Sequence, residues 1–256
     1  MADIAASHGA GRGRTLRVCA LYPDLMNIYA DRGNLLLLER RCAWRGIGFE
    51  LTTAGLRAVV DPGAHDLFYL GGGQDRDQEL CARDLLDVKR DALHEAASRG
   101  AAILAVCGGY QLLGHSYELG ETVIPGIGLL DLHTVRSDGP RLIGNVAIEV
   151  DLPGAGGPRV LAGFENHGGR THLGPAAQPL GRVLRGHGND GRSGLEGVRR
   201  GSVIGTYLHG PLLPKNAWLA DWLVSTALGR DGTLEQLDDT LEDAAHAGAR
   251  RAAGLS

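Results

Sequence analysis

The sequence predicts an α/β protein: a mostly parallel sheet covered by helices, with antiparallel additions in its second half. Three observations carry this. Up to Tyr117, short apolar runs alternate with longer segments of helical spacing, the pattern of a parallel sheet with crossover helices. Beyond Gly126 the texture changes to short strand-like runs separated by Gly, Pro and Asp turns. With 256 residues, 43% hydrophobic and 22% charged, the chain has material for one full core.

The elements follow in order. "LRVCALY" (16–22) reads as a buried strand, "DRGNLLLLERRCAWRG" (31–46) as a helix stopped by Gly46, and "GFELTTA" (48–54) as a second strand. "HDLFYLGGG" (65–73) is a strand ending in three glycines. Residues 74–100 have helical spacing up to a glycine stop. "AAILAVCGG" (101–109) is a strand leading into a short helix, "YQLLGHSY" (110–117). In the second half, "GLLDLHTV", "LIGNVAIEV", "RVLAGFENH" and "GSVIGTYLHG" read as strands, and "PKNAWLADWLVSTALG" (214–229) as a proline-flanked helix. Residues 1–14 are expected to be disordered and 15–230 to form the domain, with 231–256 a terminal helix or tail.

Composition excludes several classes. A formal charge of −4 and a pI near 6.2 give no basic face for phosphate backbones, so no nucleic-acid partner is expected. The apolar runs are too short to cross a bilayer, and the N-terminal stretch has no apolar signal core, so the reading is a cytoplasmic protein without membrane insertion. Cys19, Cys42, Cys81 and Cys107 show no C-x-x-C spacing, which argues against zinc and against a disulfide framework. No metal site is expected.

Cys107 stands where a parallel strand turns into a helix, followed at once by Gly108 and Gly109. A side chain there points into the crevice where open α/β sheets bind ligands. The glycines clear space around it, and the helix N-terminus favours a thiolate. This is the logic of the nucleophile elbow written with sulfur; the other reading is a small buried cysteine. Gly71, Gly72 and Gly73 end an earlier strand, where backbone N–H groups could face an oxyanion. "GTYLHGPL" places His209 at the end of another β-rich run, as a base for the thiol. Glu165, His167 and Arg170 in "GFENHGGRTHLG" read as a loop shaping a pocket wall, with His167 an alternative base.

Taken together, "AVCGGYQLLG", "YLGGGQDRDQEL" and "GTYLHGPLLPKN" resemble the class I, triad-type glutamine amidotransferases in their cobyric-acid-synthase-like branch. "LYPDLMNIYADRGNLLLLERR" and "FENHGGRTHLG" resemble, within that branch, the GatD glutaminase subunits of lipid II isoglutaminyl synthase. The likeness runs over roughly residues 16–228 and implies a flavodoxin-like fold. It implies Cys107 as nucleophile and His209 as base. It further implies an oxyanion hole from Gly72 or Gly73 with Gly108, and Gln111 and Arg141 as contacts to substrate glutamine. The family's usual His-x-Glu is His209-Gly210-Pro211 here, which leaves the group that orients His209 open.

The same likeness implies a glutaminase feeding ammonia to amidation of the D-glutamate α-carboxyl of lipid II in peptidoglycan synthesis. Corrin-ring amidation, or an idle regulatory module on the same fold, are the alternatives. There is no G-x-x-x-x-G-K-[ST], and the only lysines are Lys89 and Lys215. No cofactor is therefore expected in this chain. ATP and magnesium are expected in a MurT-like Mur ligase subunit that forms a heterodimer with it and carries the lipid II.

Overall fold

The computed structural model describes residues 14–27, 31–229 and 234–256. The expectation of disorder over 1–14 falls, apart from Arg14, outside them. The first half runs β1 (Thr15–Leu21), α1 (Arg32–Ala43), β2 (Gly48–Ala54), β3 (Leu67–Leu70), α2 (Asp75–Asp84), α3 (Arg90–Ser98), β4 (Ala102–Val106) and α4 (Gly108–Leu112). There follow β5 (Ser116–Leu119), β6 (Thr122–Pro125), β7 (Leu132–Arg136), β8 (Leu142–Val150), β9 (Arg159–His167) and β10 (Gly169–Leu173). The chain continues with β11 (Gly181–Arg185), β12 (Leu195–Glu196), β13 (Val198–Arg200), β14 (Val203–Thr206), α5 (Ala217–Ala227) and α6 (Thr240–Ala252).

The central sheet has the order β13-β14-β4-β3-β1-β2. Five of its strands are parallel, and only β13 pairs antiparallel, at the edge. β3 and β4 are buried along their whole length because both faces are covered. Two four-stranded sheets, β10-β7-β5-β6 and β12-β11-β8-β9, complete the second half.

Several elements differ from the sequence reading for local reasons. The helix expected over 110–117 is only α4, which ends at Leu112; the chain after it becomes β5, paired antiparallel with β6 and parallel with β7. The single helix expected over 74–100 is split by a π-turn, Leu85–Lys89. There the fully buried Lys89 pairs with Asp84, which also accepts the Tyr22 hydroxyl and the Arg57 N–H. An extra residue in the turn brings the ammonium to its counter-charge. The set read as a pocket-wall loop lies instead on β9 and β10. Strands β11 to β13 have no strong period in sequence and were not foreseen.

The C-terminal segment forms α6. It packs against β8, β9 and the Leu213–Lys215 turn, where His246 Nδ1 lies 2.8 Å from the Lys215 carbonyl. Arg41, fully buried on α1, binds Asp221 of α5 and Asp239 just before α6, and so ties both helices to the central layer. Removing this guanidinium strands two partly buried carboxylates, with Arg45 still paired to Asp221. Arg41→Ala should lower the unfolding free energy by about 2 kcal/mol or more in a urea titration, at the low end for a buried pair because both carboxylates reach solvent. A change below about 0.5 kcal/mol, the range of surface substitutions, would show that the tie is not structural.

Candidate active site

The site is assembled by strand pairing. β4 lies between β3 and β14, all parallel, so their C-terminal ends emerge side by side. β4 delivers Cys107, β3 delivers Gly71 to Gly73, and β14 delivers Tyr207 to His209. The Cys107 N–H bonds the Thr206 carbonyl at 2.8 Å, which extends the β4/β14 ladder to the nucleophile position itself. His209 is held by a reciprocal backbone pair with Phe164 of β9, at 2.9 and 3.1 Å.

Cys107 has φ 52° and ψ −109°, a strained conformation for a residue with a side chain and the mark of a nucleophile elbow. The close approach of the turn to β3 explains its glycines. A Cβ on Gly109 would sit 2.6 Å from the Leu70 carbonyl, and one on Gly108 would sit 2.1 Å from Gln78 Nε2. The Gly109 N–H bonds the Gly71 carbonyl at 3.1 Å, joining the elbow helix to the glycine turn.

Of the proposed oxyanion donors, Gly72 is already committed: its N–H donates to Asp31 Oδ2 at 2.9 Å. Gly72 is thereby an anchor rather than a donor, a correction to the expectation from sequence. The Gly73 nitrogen stands 3.0 Å from where a Gly108 Cβ would be, and no hydrogen bond within the described residues takes its N–H. Gly73, and Gly108, whose N–H lies against the Cys107 sulfur at rest, are the pair able to meet a developing oxyanion.

Burial dominates the electrostatics. It pushes the Cys107 thiol up to about 12, with the negative charge of Asp31 adding to the rise. A hydrogen bond from the Gly108 N–H and the positive charge of Arg141 oppose it without prevailing. The helix expected to favour a thiolate, α4, is only five residues long. Burial also pushes His209 down to about 4, helped by the charges of His167, Lys215 and Arg141. Burial thus favours a neutral thiol at Cys107 and a neutral imidazole at His209.

Arg141 acts on both groups and is itself exposed. Its Nε and Nη2 donate to the side chain and carbonyl of Asn166, each at 2.8 Å, which fixes an exposed cation whose charge is felt at Cys107 and His209. Gln111 lies deeper and is buried. Its Nε2 donates to the Tyr207 hydroxyl at 3.0 Å and its Oε1 accepts from Gln78 at 3.2 Å. The ring of His167 stacks flat on Tyr207, with centroids 3.5 Å apart. Glu165 accepts the His187 and Gly188 N–H groups, and Glu196 accepts Thr206 and Tyr207, so both buried carboxylates brace loops and strand ends. Asp31, Gln78, Asn166 and Tyr207 are the site-building residues to which sequence reasoning gave no role. All four lie inside the stretches that carried the resemblance, but nothing in their spacing marks a hydrogen-bond partner.

Comparison with known proteins agrees with this geometry. The CobB/CobQ-like glutamine amidotransferase domain matches residues 17–217. This chain belongs to that family. Among curated relatives, the amidotransferase is 39% identical to the lipid II isoglutaminyl synthase (glutamine-hydrolysing) subunit GatD of Staphylococcus aureus, over 82% of this chain and 83% of that one. It is 37% identical to the GatD subunit of Streptococcus pneumoniae, over 88% and 87%. The structure of PurLQS from Thermotoga maritima superposes with a TM-score of 0.58 at 21% identity, covering 85% of this chain and 97% of that one, which shows the fold alone.

The depressed histidine has a testable consequence. Imidazole is a base only when unprotonated, and a folded value near 4 keeps it so well below the ordinary histidine range. The acid limb of kcat/KM for glutamine should therefore lie below about pH 5.5, not near 6.5. A limb centred at about 6.5 or higher, matched by an imidazole NMR titration at the same pH that is missing from the spectrum of His209→Gln, would contradict the assigned environment.

Proposed function

We propose that this chain is the glutaminase subunit of a lipid II isoglutaminyl synthase, with Cys107 as nucleophile and His209 as base. The observation that carries the chemistry is the elbow conformation of Cys107 beside the Gly73 and Gly108 amides, at the sheet edge it shares with His209. The role in lipid II amidation rests on two relatives of that name matching more than four-fifths of both chains.

The reaction follows from the groups present. His209 takes the thiol proton as sulfur attacks the side-chain amide carbon of glutamine, and the oxyanion forms against Gly73 and Gly108. The imidazolium then protonates the departing nitrogen, which leaves as ammonia and yields a thioester. Water, deprotonated by the same imidazole, attacks the thioester, and glutamate departs as sulfur recovers its proton. In this reading Arg141, held by Asn166, receives a glutamine carboxylate.

Amidating a carboxylate requires its activation, and this chain carries no ATP-binding loop in its sequence. We assign that step to a partner: a Mur-ligase-like subunit of the MurT type that holds ATP, magnesium and lipid II. Among the described residues no helix is long and apolar enough to cross a membrane. The reaction so divided belongs in the cytoplasm.

Cys107→Ala should abolish ammonia release, and an electrophilic glutamine analogue should modify Cys107 while Cys19, Cys42 and Cys81 stay unlabelled. Full activity in that variant would remove the nucleophile assignment. Arg141→Ala should raise KM for glutamine by about tenfold or more, the loss of one charge-assisted contact, with a smaller change in kcat. Unchanged kinetics at low glutamine would make Arg141 a surface charge only.

A further inference from the structure

The first turn of α1 has no role in the reaction as described, yet it touches both halves of the site. Asp31 and Asn34 are fully buried. Asp31 Oδ2 accepts the Gly72 N–H at 2.9 Å. The Asn34 side chain accepts the Leu213 N–H at 2.8 Å, four residues beyond His209, and donates to the Tyr69 hydroxyl at 3.0 Å. Between them, Gly33 lies so close to Pro211 that a Cβ would come within 2.8 Å of its ring. The Tyr69 hydroxyl returns to the Asp31 carbonyl at 3.2 Å and closes the set.

We propose that Asp31 is a positioning residue of the glutaminase: by accepting the Gly72 N–H it fixes the glycine turn so that the Gly73 N–H meets the oxyanion at Cys107. The peptide joining Gly71 to Gly72 is clamped on both sides, its carbonyl by the Gly109 N–H and its N–H by Asp31. The peptide after Gly73 is clamped by Gln78 Nε2 on the Gly73 carbonyl at 3.2 Å. The Gly73 N–H lies between the two clamps, in a glycine triplet that would otherwise sample many orientations. Its direction is set by the groups on either side.

What Asp31 supplies is an acceptor rather than a charge. Its Oδ1 has no hydrogen-bond partner among the described residues, and a negative charge there disfavours the Cys107 thiolate. Burial also raises the Asp31 carboxyl to about 6, so the fold does not favour its ionised form. An amide can serve in its place. Because an oxyanion exists only in the transition state, loss of the clamp falls on kcat and spares KM.

The inference rests on Cys107 being the nucleophile, and the test separates the two. Steady-state glutamine hydrolysis is measured for the protein in its natural assembly, as native enzyme and as Asp31→Ala, Asp31→Asn and Cys107→Ala, with kcat referred to folded protein by near-ultraviolet circular dichroism. Asp31→Ala should lose about 10- to 100-fold in kcat, somewhat less than removal of an oxyanion donor itself, with KM within about threefold; Asp31→Asn should recover kcat to within about fivefold of native. If Asp31→Ala does not fold, Asp31→Ser, too short to reach Gly72, takes its place with the same expectation. Native kcat in folded Asp31→Ala or Asp31→Ser overturns the proposal, as does an equal loss in Asp31→Asn, which would make the residue a charge or a fold element. Activity surviving in Cys107→Ala is a different result and removes the nucleophile assignment instead.

Discussion

The parallel pairing of β4 with β3 on one side and β14 on the other is the interaction on which the site depends. It sets three chain reversals next to each other at one edge of the central sheet and supplies a thiol, a run of glycine amides and an imidazole from three distant parts of the sequence. The same pairing buries them. Cys107 is 7% exposed and His209 not at all, and that dryness drives the thiol up and the imidazole down until both rest uncharged. In such a site a proton transfer from sulfur to nitrogen creates two charges at the moment the substrate arrives. Preoriented amides are then worth more than they would be in water.

A dry site built from turns must hold its backbone without help from solvent, and buried polar side chains do this throughout. Glu196 caps the end of β14 through Thr206 and Tyr207, and Glu165 secures the turn after β11 through two N–H groups. Asn189 spans Tyr110 and the backbone of Gly197. Burial pushes the Glu196 carboxyl up to about 8, opposed by the hydrogen bonds it accepts from Tyr207, Thr206 and Gly197. Each such group costs desolvation and is retained because it fixes one loop orientation among many. The Asp31–Asn34 turn is the member of this set that spans the glycine turn and the histidine loop together.

Much of this was legible in the sequence because it rests on local rules. Apolar runs ending in Gly-Gly or Gly-Gly-Gly marked the strand ends at β3 and β4, and the cysteine at such an end marked the elbow. Long-range hydrogen bonding was not legible. The commitment of Gly72 to Asp31 joins positions 41 apart, and the π-turn at Lys89 answers to an ion pair and to Tyr22, 62 residues before Asp84. β11 to β13 are short strands whose partners, not their own pattern, make them strands. The surroundings of Cys107 were not legible either: a helix N-terminus can be read from spacing, whereas the burial around the thiol cannot.

The central claim is that Cys107 and His209, the proposed catalytic pair, rest as neutral thiol and neutral imidazole, and the ionisation of Cys107 tests it most directly. Thiolate ultraviolet absorbance, taken as the difference between the native assembly and its Cys107→Ser counterpart, isolates this one sulfur across the pH range. The account predicts no thiolate signal from Cys107 between about pH 6 and 9 in the absence of substrate. A full equivalent of thiolate at about pH 7, lost on protonation with an ordinary cysteine-protease-like depressed value, would show a resting ion pair and contradict it.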